Sequence, residues 1–267
     1  MKLAISNIAW SPAEESRVAD LLVKSGFRGV EIAPTKVWDA PLEVTEAQAR
    51  EYRRFWNERG IDVVAMQALL FGRPELTLFE TPEARSATLE YLRGLMRLGA
   101  WLGAKVLVFG APRNRRVGEA GPAAADRIAV DFFRAAGDHA LEYGVVLAIE
   151  PNPEQYDCDF VTTSRQGLDL VRKVRSGGFG LHLDAAAMTL AGEPLPDAVL
   201  DCAGSIAHFH ASEPSLAAVR EESVVEHGSL ASALRRIGYS NWVSIEMRAD
   251  PESSLSKVLT YVAETYG

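Results

Sequence analysis

Glycine recurs where a helical segment meets a short apolar segment, and this pattern restricts the possible folds more than any other feature of the sequence. It occurs at Gly26 (KSGFRGVEI), Gly60 (ERGIDVVAMQ), Gly103 (WLGAKVLVFG), Gly144 (EYGVVLAIE) and Gly238 (IGYSNWVSIE). Glycine readily adopts the left-handed backbone conformation that commonly ends a helix. The β-branched apolar segments that follow are typical of parallel strands covered by helices. The pattern therefore predicts alternating helices and strands.

Eight strand-like segments are found along the chain. We expect strands to begin near Lys2, Arg28, Ile61, Lys105, Val145, Phe179, Ile206 and Trp242. The helix after the sixth strand is expected to be short, around Pro196 to Asp201. Eight strand–helix units without a linker predict a single α/β domain, residues 1–267, folded as a (β/α)8 TIM barrel. A doubly wound open sheet is the alternative.

Composition argues against several classes of partner. The formal net charge of −8 disfavours a general affinity for nucleic acid or for an anionic membrane. No apolar stretch is long enough to span a bilayer, and MKLAISNIAW does not resemble a signal peptide. The two cysteines, Cys158 and Cys202, have no metal-binding spacing. We therefore expect a cytoplasmic protein that acts on a small molecule, with a homo-oligomer left open.

Four side chains with affinity for metals end four successive strands in the second half of the chain. They are Glu150 in VVLAIE, Asp184 in FGLHLD, His210 in IAHFH and Glu246 in WVSIE. The carboxyl ends of barrel strands converge on one mouth, so these residues are expected to surround a single ion. Side chains alternate along a strand, so His182 and His208 should face the same interior as Asp184 and His210.

The donor set predicts the kind of ion and the chemistry. Three carboxylates and one imidazole favour Mn²⁺, with Mg²⁺, Co²⁺ and Zn²⁺ as alternatives. Such an ion would polarise the carbonyl of a hydroxyketone and stabilise the enediolate formed by removal of the neighbouring proton. Glu150 and Glu246 are the candidates for the acid and base. A single acidic residue at a strand end is commonly a capping group, but four with matching side-chain direction point to a metal site.

The segments AIEPN, LHLD, HFHASE and GYSNWVSIEM resemble those of sugar phosphate isomerases and epimerases with the xylose isomerase-like TIM barrel, over nearly the whole chain. In members similar to D-tagatose 3-epimerase, a Glu, Asp, His, Glu quartet binds the metal, and its two glutamates exchange the substrate proton on opposite faces. By position, the resemblance assigns these roles to Glu150, Asp184, His210 and Glu246. Ala187 and Leu216 stand where such ketose epimerases have a histidine and an arginine, so the resemblance does not extend to the substrate.

Further residues near the expected mouth are candidates for substrate binding. Glu31, Gln67, Trp10 and Glu213 would contact a sugar, although strand-end capping for the first two and plugging of the barrel edge for Trp10 are equally open. Orientation of His210 is the alternative for Glu213. His182 is a further candidate for substrate binding, with an interior or supporting role as its alternative. The candidates for a basic rim that attracts an anionic substrate group are Lys36, Arg73, Arg113, Arg115, Arg116 and Arg248. Solvated loop charge or a subunit contact is the alternative for that rim. A surface position is expected for His227, and a position that reaches the site is the alternative.

Three functions follow from these residues. The first is an isomerase or epimerase of a sugar, sugar phosphate or related polyol ketone. The second is a dehydratase of the keto-inositol or dehydroshikimate type, which begins with the same proton removal. The third is an endonuclease IV-like DNA repair nuclease, which the absence of histidine at the ends of the third and fourth strands (VVAMQ and VLVFG) disfavours.

Overall fold

The computed structural model of the chain describes residues 1–250 and 254–267. Its strands are β1 (Lys2–Ser6), β2 (Gly29–Ile32), β3 (Asp62–Met66), β4 (Val106–Phe109), β5 (Val146–Ile149), β6 (Phe179–Asp184), β7 (Ile206–Ser212) and β8 (Trp242–Glu246). Each strand pairs in parallel with the next, and β8 pairs with β1, so the sheet closes into a barrel. The prediction of a (β/α)8 barrel is confirmed, and the open doubly wound sheet is wrong.

Helices surround this barrel. Within the described residues they are α1 (Glu15–Lys24), α2 (Glu46–Asn57), α3 (Pro82–Leu102), α4 (Pro122–Glu142), α5 (Ser164–Val174), α6 (Ala185–Leu190), α7 (Leu195–Asp201), α8 (His227–Arg236) and α9 (Leu255–Tyr266). The short helix predicted after the sixth strand corresponds to α7. The sequence interpretation missed α6, which starts directly after β6 because the Asp184 side chain accepts a hydrogen bond from the Ala187 N–H and caps it. No helix among the described residues is both long and apolar enough to cross a membrane.

The glycines that punctuate the sequence have the backbone conformation expected of them. All five have a positive φ, and Gly103, for example, caps α3 with a φ of 89°. The strands begin within one residue of the predicted positions. Local glycine chemistry and the apolar segments therefore determine the alternation of helix and strand.

The two ends of the barrel interior differ in character. Where the strands begin, the Trp242 ring and Ala4 occupy the space beside Gly29, and the neighbouring interior residues Val64 and Ala65 are apolar. Toward the ends of the strands the interior becomes polar. The register pairs His182 with His208 and Asp184 with His210, and all four side chains are buried. The predicted inward direction of these residues is confirmed, and the apolar plug directs access to the other end of the barrel.

Candidate active site

A cavity of about 620 Å³ opens at the carboxyl ends of the strands. Its walls come from the segments that follow β3, β4, β5, β6, β7 and β8. Glu150, Asp184 and Glu246 all line it. Three acidic side chains that lie 34 or more residues apart in the chain are thus exposed to the same small volume, as expected for the catalytic end of a barrel.

His210 completes the predicted quartet. Its Nδ1 lies 3.7 Å from Oδ2 of Asp184 and 3.4 Å from Oε2 of Glu246. Ligand atoms of Glu150, Asp184 and His210 also lie within 4.8 Å of one another, in a group that includes His182. The structure therefore brings the four predicted residues together and adds a second imidazole beside them.

The orientation of His210 is fixed from below by Glu31. Nε2 of His210 lies 2.9 Å from Oε2 of Glu31, and Nδ1 has no hydrogen-bond partner among the described residues. With the proton on Nε2, the imidazole donates to the carboxylate and turns the Nδ1 lone pair toward Asp184 and Glu246. Histidines that bind metals commonly use one nitrogen as ligand and donate the other N–H to a carboxylate. The pair is therefore arranged as a metal ligand and its support.

Asp184 is held by two donors that fix its carboxylate. Its Oδ1 accepts the Ala187 N–H at 2.7 Å, and its Oδ2 accepts the Ser212 hydroxyl at 2.6 Å. Both donors come from segments next to the cavity, α6 and the end of β7. Each oxygen retains a further lone pair, because a carboxylate oxygen can accept more than one contact. Asp184 is thus preorganised and still able to bind a cation.

Glu150 occupies space that a glycine leaves open. A Cβ atom built on Gly110, just after β4, would overlap Oε2 of Glu150. The backbone carbonyl of Glu150 accepts hydrogen bonds from the Arg115 guanidinium at 2.7 Å and from the Asn152 amide at 3.1 Å. The side chain is therefore placed by the missing Cβ of one residue and by the anchored carbonyl of its own.

The carboxylates raise one another's affinity for protons. Burial, together with the charges of Glu246 and Asp184, raises the pKa of Glu150 to about 8. Burial and the Glu246 charge raise the pKa of Asp184 to about 6. For His210, burial lowers the pKa, but the charges of Glu31 and Glu246 outweigh it and raise the pKa well above its ordinary value. A bound cation would relieve this concentrated negative charge, so a divalent metal ion fits these oxygen-rich ligands.

Three of the predicted substrate-binding residues line the cavity. They are Gln67, Arg113 and Glu213. Gln67 donates its side-chain amide to the Ser6 hydroxyl, and Arg113 forms an ion pair with Asp157 at 3.1 Å. The remaining predicted contacts, Glu31, His182 and Trp10, are buried and are not among the described residues that line the cavity. Trp10 packs against Trp56 with ring centroids 6.2 Å apart, which matches the alternative that it plugs the barrel edge.

Two basic residues that were expected to be exposed, Arg115 and His227, are buried. Arg115, predicted in the basic rim, is completely buried. Its guanidinium donates to five backbone carbonyls, those of Phe109, Gly110, Glu150, Phe160 and Val161. The prediction of a substrate-facing Arg115 is therefore wrong, because its donors are satisfied by the ends of β4 and β5 and by the loop before α5.

His227 is also buried, so the expected surface position is wrong. Its Nε2 lies 2.8 Å from Oε1 of Glu213, and its Nδ1 lies 2.8 Å from the Tyr266 hydroxyl. Burial raises the pKa of Tyr266 well above its ordinary value, so the phenol keeps its proton. With the His227 proton on Nε2, facing the Glu213 carboxylate, Nδ1 accepts a hydrogen bond from the Tyr266 hydroxyl. Glu213 thus contacts His227, and His210 is oriented by Glu31.

The sequence interpretation missed several residues of the cavity wall. Asn152, Tyr156 and Ser212 line the cavity. Ser212 lies two positions after His210, so the alternation of side chains along a strand would have placed it on the same face. Tyr156 and Asn152 lie in the loop after β5, where no periodic signal operates. Their position depends on how that loop folds back over the barrel.

The sequence profile of the xylose isomerase-like TIM barrel family matches residues 19–264. The chain belongs to this family. The chain shares its fold with D-psicose 3-epimerase from Clostridium cellulolyticum H10, solved with D-tagatose (TM-score 0.79, 18% identity, 98% of this chain and 90% of that chain). It also resembles YcjR, the 3-keto-D-glucoside 4-epimerase of E. coli (TM-score 0.81, 18% identity, 99% of this chain and 98% of that chain).

A third similar structure is that of IolI with a bound zinc atom (TM-score 0.76, 21% identity, 99% of this chain and 96% of that chain). No curated protein sequence matches the chain significantly. At this level of identity, the similarity to solved structures establishes the shared barrel architecture.

Proposed function

We propose that this member of the xylose isomerase-like family is a divalent-metal-dependent isomerase or epimerase of a sugar, a sugar phosphate or a related polyol ketone. The observation that carries the proposal is the orientation of His210. Its Nε2 is anchored on Glu31, and its unpartnered Nδ1 faces Asp184 and Glu246 at the cavity. A buried imidazole held in this way, with three carboxylates around it, is suited to binding a metal and to little else.

The metal would be held by Glu150, Asp184, His210 and Glu246. Mn²⁺ is the proposed ion, because three of the four donors are carboxylate oxygens, and Mg²⁺, Co²⁺ and Zn²⁺ are alternatives. When bound, the ion supplies Lewis acidity that polarises a substrate carbonyl and acidifies the neighbouring C–H group. Glu31, Ser212 and the Ala187 N–H keep the ligands in place before a substrate arrives.

Proton transfer is proposed to involve Glu150 and Glu246. Both line the cavity. Glu150 directly follows β5 and Glu246 ends β8, so β6 and β7 lie between them in the barrel. A carboxylate oxygen of one glutamate would take the proton from the substrate carbon, and the other would return a proton from the opposite face. Return to the same carbon gives epimerisation, and return to the adjacent carbon gives isomerisation. Glu150, whose pKa is raised to about 8, can hold and return a proton near neutral pH, as a general acid–base group must.

The similar structures support a carbohydrate substrate. D-psicose 3-epimerase and 3-keto-D-glucoside 4-epimerase are both sugar epimerases by name, and the first was solved with a ketose. Arg73, Arg113 and Arg248 also line the cavity of the present chain. We propose that they attract a phosphate or carboxylate group on the substrate. Leu216, at a position that carries an arginine in related ketose epimerases, lines the same cavity, which is consistent with a different substrate.

The test is solvent deuterium incorporation. The chelated protein, with and without added Mn²⁺, is incubated in D₂O with a panel of ketoses, sugar phosphates and keto-inositols, and products are analysed by NMR. We expect Mn²⁺-dependent deuteration at a carbon next to a carbonyl, lost in Glu150→Gln and Glu246→Gln. Glu154→Gln, which alters an exposed carboxylate in the loop after β5, is the matched control.

Two outcomes would redirect or overturn the proposal. Loss of a hydroxyl group as water, with the same metal dependence, would identify the dehydratase alternative. Undiminished turnover by the chelated protein would overturn the proposed metal dependence. Undiminished turnover by either glutamine variant would overturn the proposed two-carboxylate mechanism.

A further inference from the structure

A second group of polar side chains lies inside the barrel below the proposed metal ligands. It consists of Glu31 on β2, His182 on β6, His208 on β7 and Ser244 on β8. All four are buried, with at most 1% of their surface exposed. The rings of His182 and His208 stack at 5.6 Å, and the His182 ring contacts that of His210 at 4.1 Å. The inner cluster, as we call it, touches the candidate site but lies outside the cavity.

The inner cluster has more polar atoms than partners. Among the described residues, Oε1 of Glu31, Nε2 of His208 and both ring nitrogens of His182 have no hydrogen-bond partner. The hydroxyl of Ser244 has none either. Buried polar atoms are nearly always satisfied, because leaving one bare is costly. The concentration of such atoms in one place indicates that a ligand fits between them.

The geometry of Glu31 indicates what kind of ligand this is. Its Oε2 lies 2.9 Å from Nε2 of His210 and 3.5 Å from Nε2 of His208. One atom from each of the three residues lies within 4.8 Å of the other two. Ligands of a tetrahedral zinc ion are about 3.4 Å apart, given zinc–ligand bonds of about 2.1 Å. The His208 separation is long for a hydrogen bond but matches two ligands of one ion.

We propose that Glu31, His208 and His210 bind a second divalent cation in the barrel interior. In this arrangement His210 bridges two ions, with Nδ1 on the outer ion and Nε2 on the inner one. Binding of the inner ion displaces the Nε2 proton of His210, which is released to solvent. The Glu31–His210 contact then opens by about 0.5 Å to the separation that two zinc ligands adopt.

The charge of the region favours a second cation. Four carboxylates, Glu31, Glu150, Asp184 and Glu246, surround His210 within the barrel and its cavity. Once Glu150, Asp184 and Glu246 are deprotonated to bind the outer ion, the four carboxylates carry four negative charges, and one divalent ion neutralises half of them. The Arg115 guanidinium, whose charge acts on Glu150, donates its hydrogen bonds to backbone carbonyls. A second ion would therefore compensate charge that the protein itself leaves in a poorly solvated place.

The donors also select the ion. Two imidazoles and one carboxylate form the His₂Glu set that binds zinc in several enzymes, and imidazole prefers Zn²⁺, Co²⁺ or Ni²⁺ over Mg²⁺. The outer ligands are mostly oxygen and favour a harder ion. The inner site is consequently expected to retain Zn²⁺ when excess Mn²⁺ is present.

Metal stoichiometry tests the proposal. The chelated protein is loaded with Zn²⁺ and desalted, and bound zinc is measured by mass spectrometry. We expect two ions per chain for the wild type, one for His208→Gln and one for Glu246→Gln, because these variants remove ligands of different sites. His139→Gln removes a histidine on α4, outside the barrel, and should retain two ions. Zinc-edge anomalous diffraction from wild-type crystals should show a second peak between Glu31 and His208.

The outcome is decisive even if His208→Gln fails to fold, because the diffraction experiment uses the wild type. A single anomalous peak at the outer site, with water between Glu31 and His208, would overturn the inner site. One zinc per chain that is unchanged in His208→Gln would do the same. These results leave the catalytic proposal intact, whereas two bound ions without deuterium exchange on any substrate would count against the catalytic proposal alone.

Discussion

Nε2 of His210 lies 2.9 Å from Oε2 of Glu31, although the two residues are 179 positions apart and stand on strands that are not neighbours in the barrel. The contact crosses the barrel interior, where neither side chain is exposed to solvent. It determines which nitrogen of the imidazole faces the cavity. The proposed binding of a metal at this site therefore depends on a residue that does not line the cavity.

Glu31→Gln is expected to weaken metal binding. The amide keeps the size of the side chain but removes the charge that fixes the His210 tautomer, and loss of such a supporting group typically costs about 10–100-fold in affinity. Calorimetric titration of the chelated protein with Mn²⁺ measures the effect. Glu213→Gln is the matched control, since Glu213 contacts His227 and not His210. Equal affinity in the two variants would show that Glu31 does not support the ligand.

Gly110→Ala is expected to impair the same site from the opposite side. The new Cβ would overlap Oε2 of Glu150, so the carboxylate must rotate away from the other ligands. We expect at least about a tenfold loss of Mn²⁺ affinity, comparable to the loss of a supporting contact, with the far-UV circular dichroism spectrum unchanged. Gly228→Ala, where the added Cβ meets no atom within 4 Å, is the control. Wild-type affinity in Gly110→Ala would mean that Glu150 binds no metal in its present position.

The stability of the metal-free protein is expected to fall between pH 6.5 and about pH 8. The pKa of Glu150 is raised from 4.5 to about 8, so the folded chain keeps a proton that the unfolded chain has already released. Stability present at low pH is then lost as the pH approaches 8, by about 2 kcal/mol in this window. His210, whose pKa is also raised, contributes in the same direction, while the pKa of Asp184, about 6, lies below the window.

Urea denaturation in the presence of a chelator, at pH 6.5, 7.2 and 8, measures this change. Glu150→Gln has no carboxyl group to titrate, so its stability should fall less steeply with pH. Saturating Mn²⁺ should cancel the fall, because a metal ion binds the deprotonated ligands. A free energy of unfolding that rises with pH in the chelated wild type would contradict the assigned protonation of Glu150.

Arg115→Met is expected to destabilise the fold by about 3 kcal/mol or more, because it removes five hydrogen bonds that a buried, charged guanidinium donates to backbone carbonyls. The carbonyls that Arg115 contacts belong to the ends of β4 and β5 and to the loop before α5. Arg116→Met changes the adjacent, exposed residue and should alter stability by less than about 0.5 kcal/mol. Urea denaturation of both variants measures the difference in stability. Equal midpoints would show that Arg115 does not stabilise the fold.

The sequence predicted the barrel and the four proposed ligands because both depend on local, periodic signals. Glycine at helix ends marks each unit, and alternation along β6 and β7 places His182 beside Asp184 and His208 beside His210. These relationships are set by backbone geometry within one strand or one strand–helix unit. They can be read without knowing how the loops fold.

Loops and contacts across the barrel were not accessible in the same way. The sequence shows that Arg115 follows β4 but not that its guanidinium turns inward onto carbonyl groups. The sequence places Glu31 at a strand end. Whether Glu31 contacts a sugar or His210 depends on the diameter of the closed barrel. The burial of His227 could not be predicted from its neighbours in the sequence, because its partner, Tyr266, lies 39 positions later on another helix.

The hydrogen bonds from Tyr266 to His227 and from His227 to Glu213 give α9 a direct connection to the cavity wall. Changes made on this helix for convenience, such as deletion of its last turn or a fused tag that pulls on it, would therefore be felt where the substrate is proposed to bind. Expression variants that alter α9 should be compared with the unaltered chain before their kinetics are interpreted. The last helix of the chain is therefore connected, through two buried hydrogen bonds, to the wall of the proposed binding pocket.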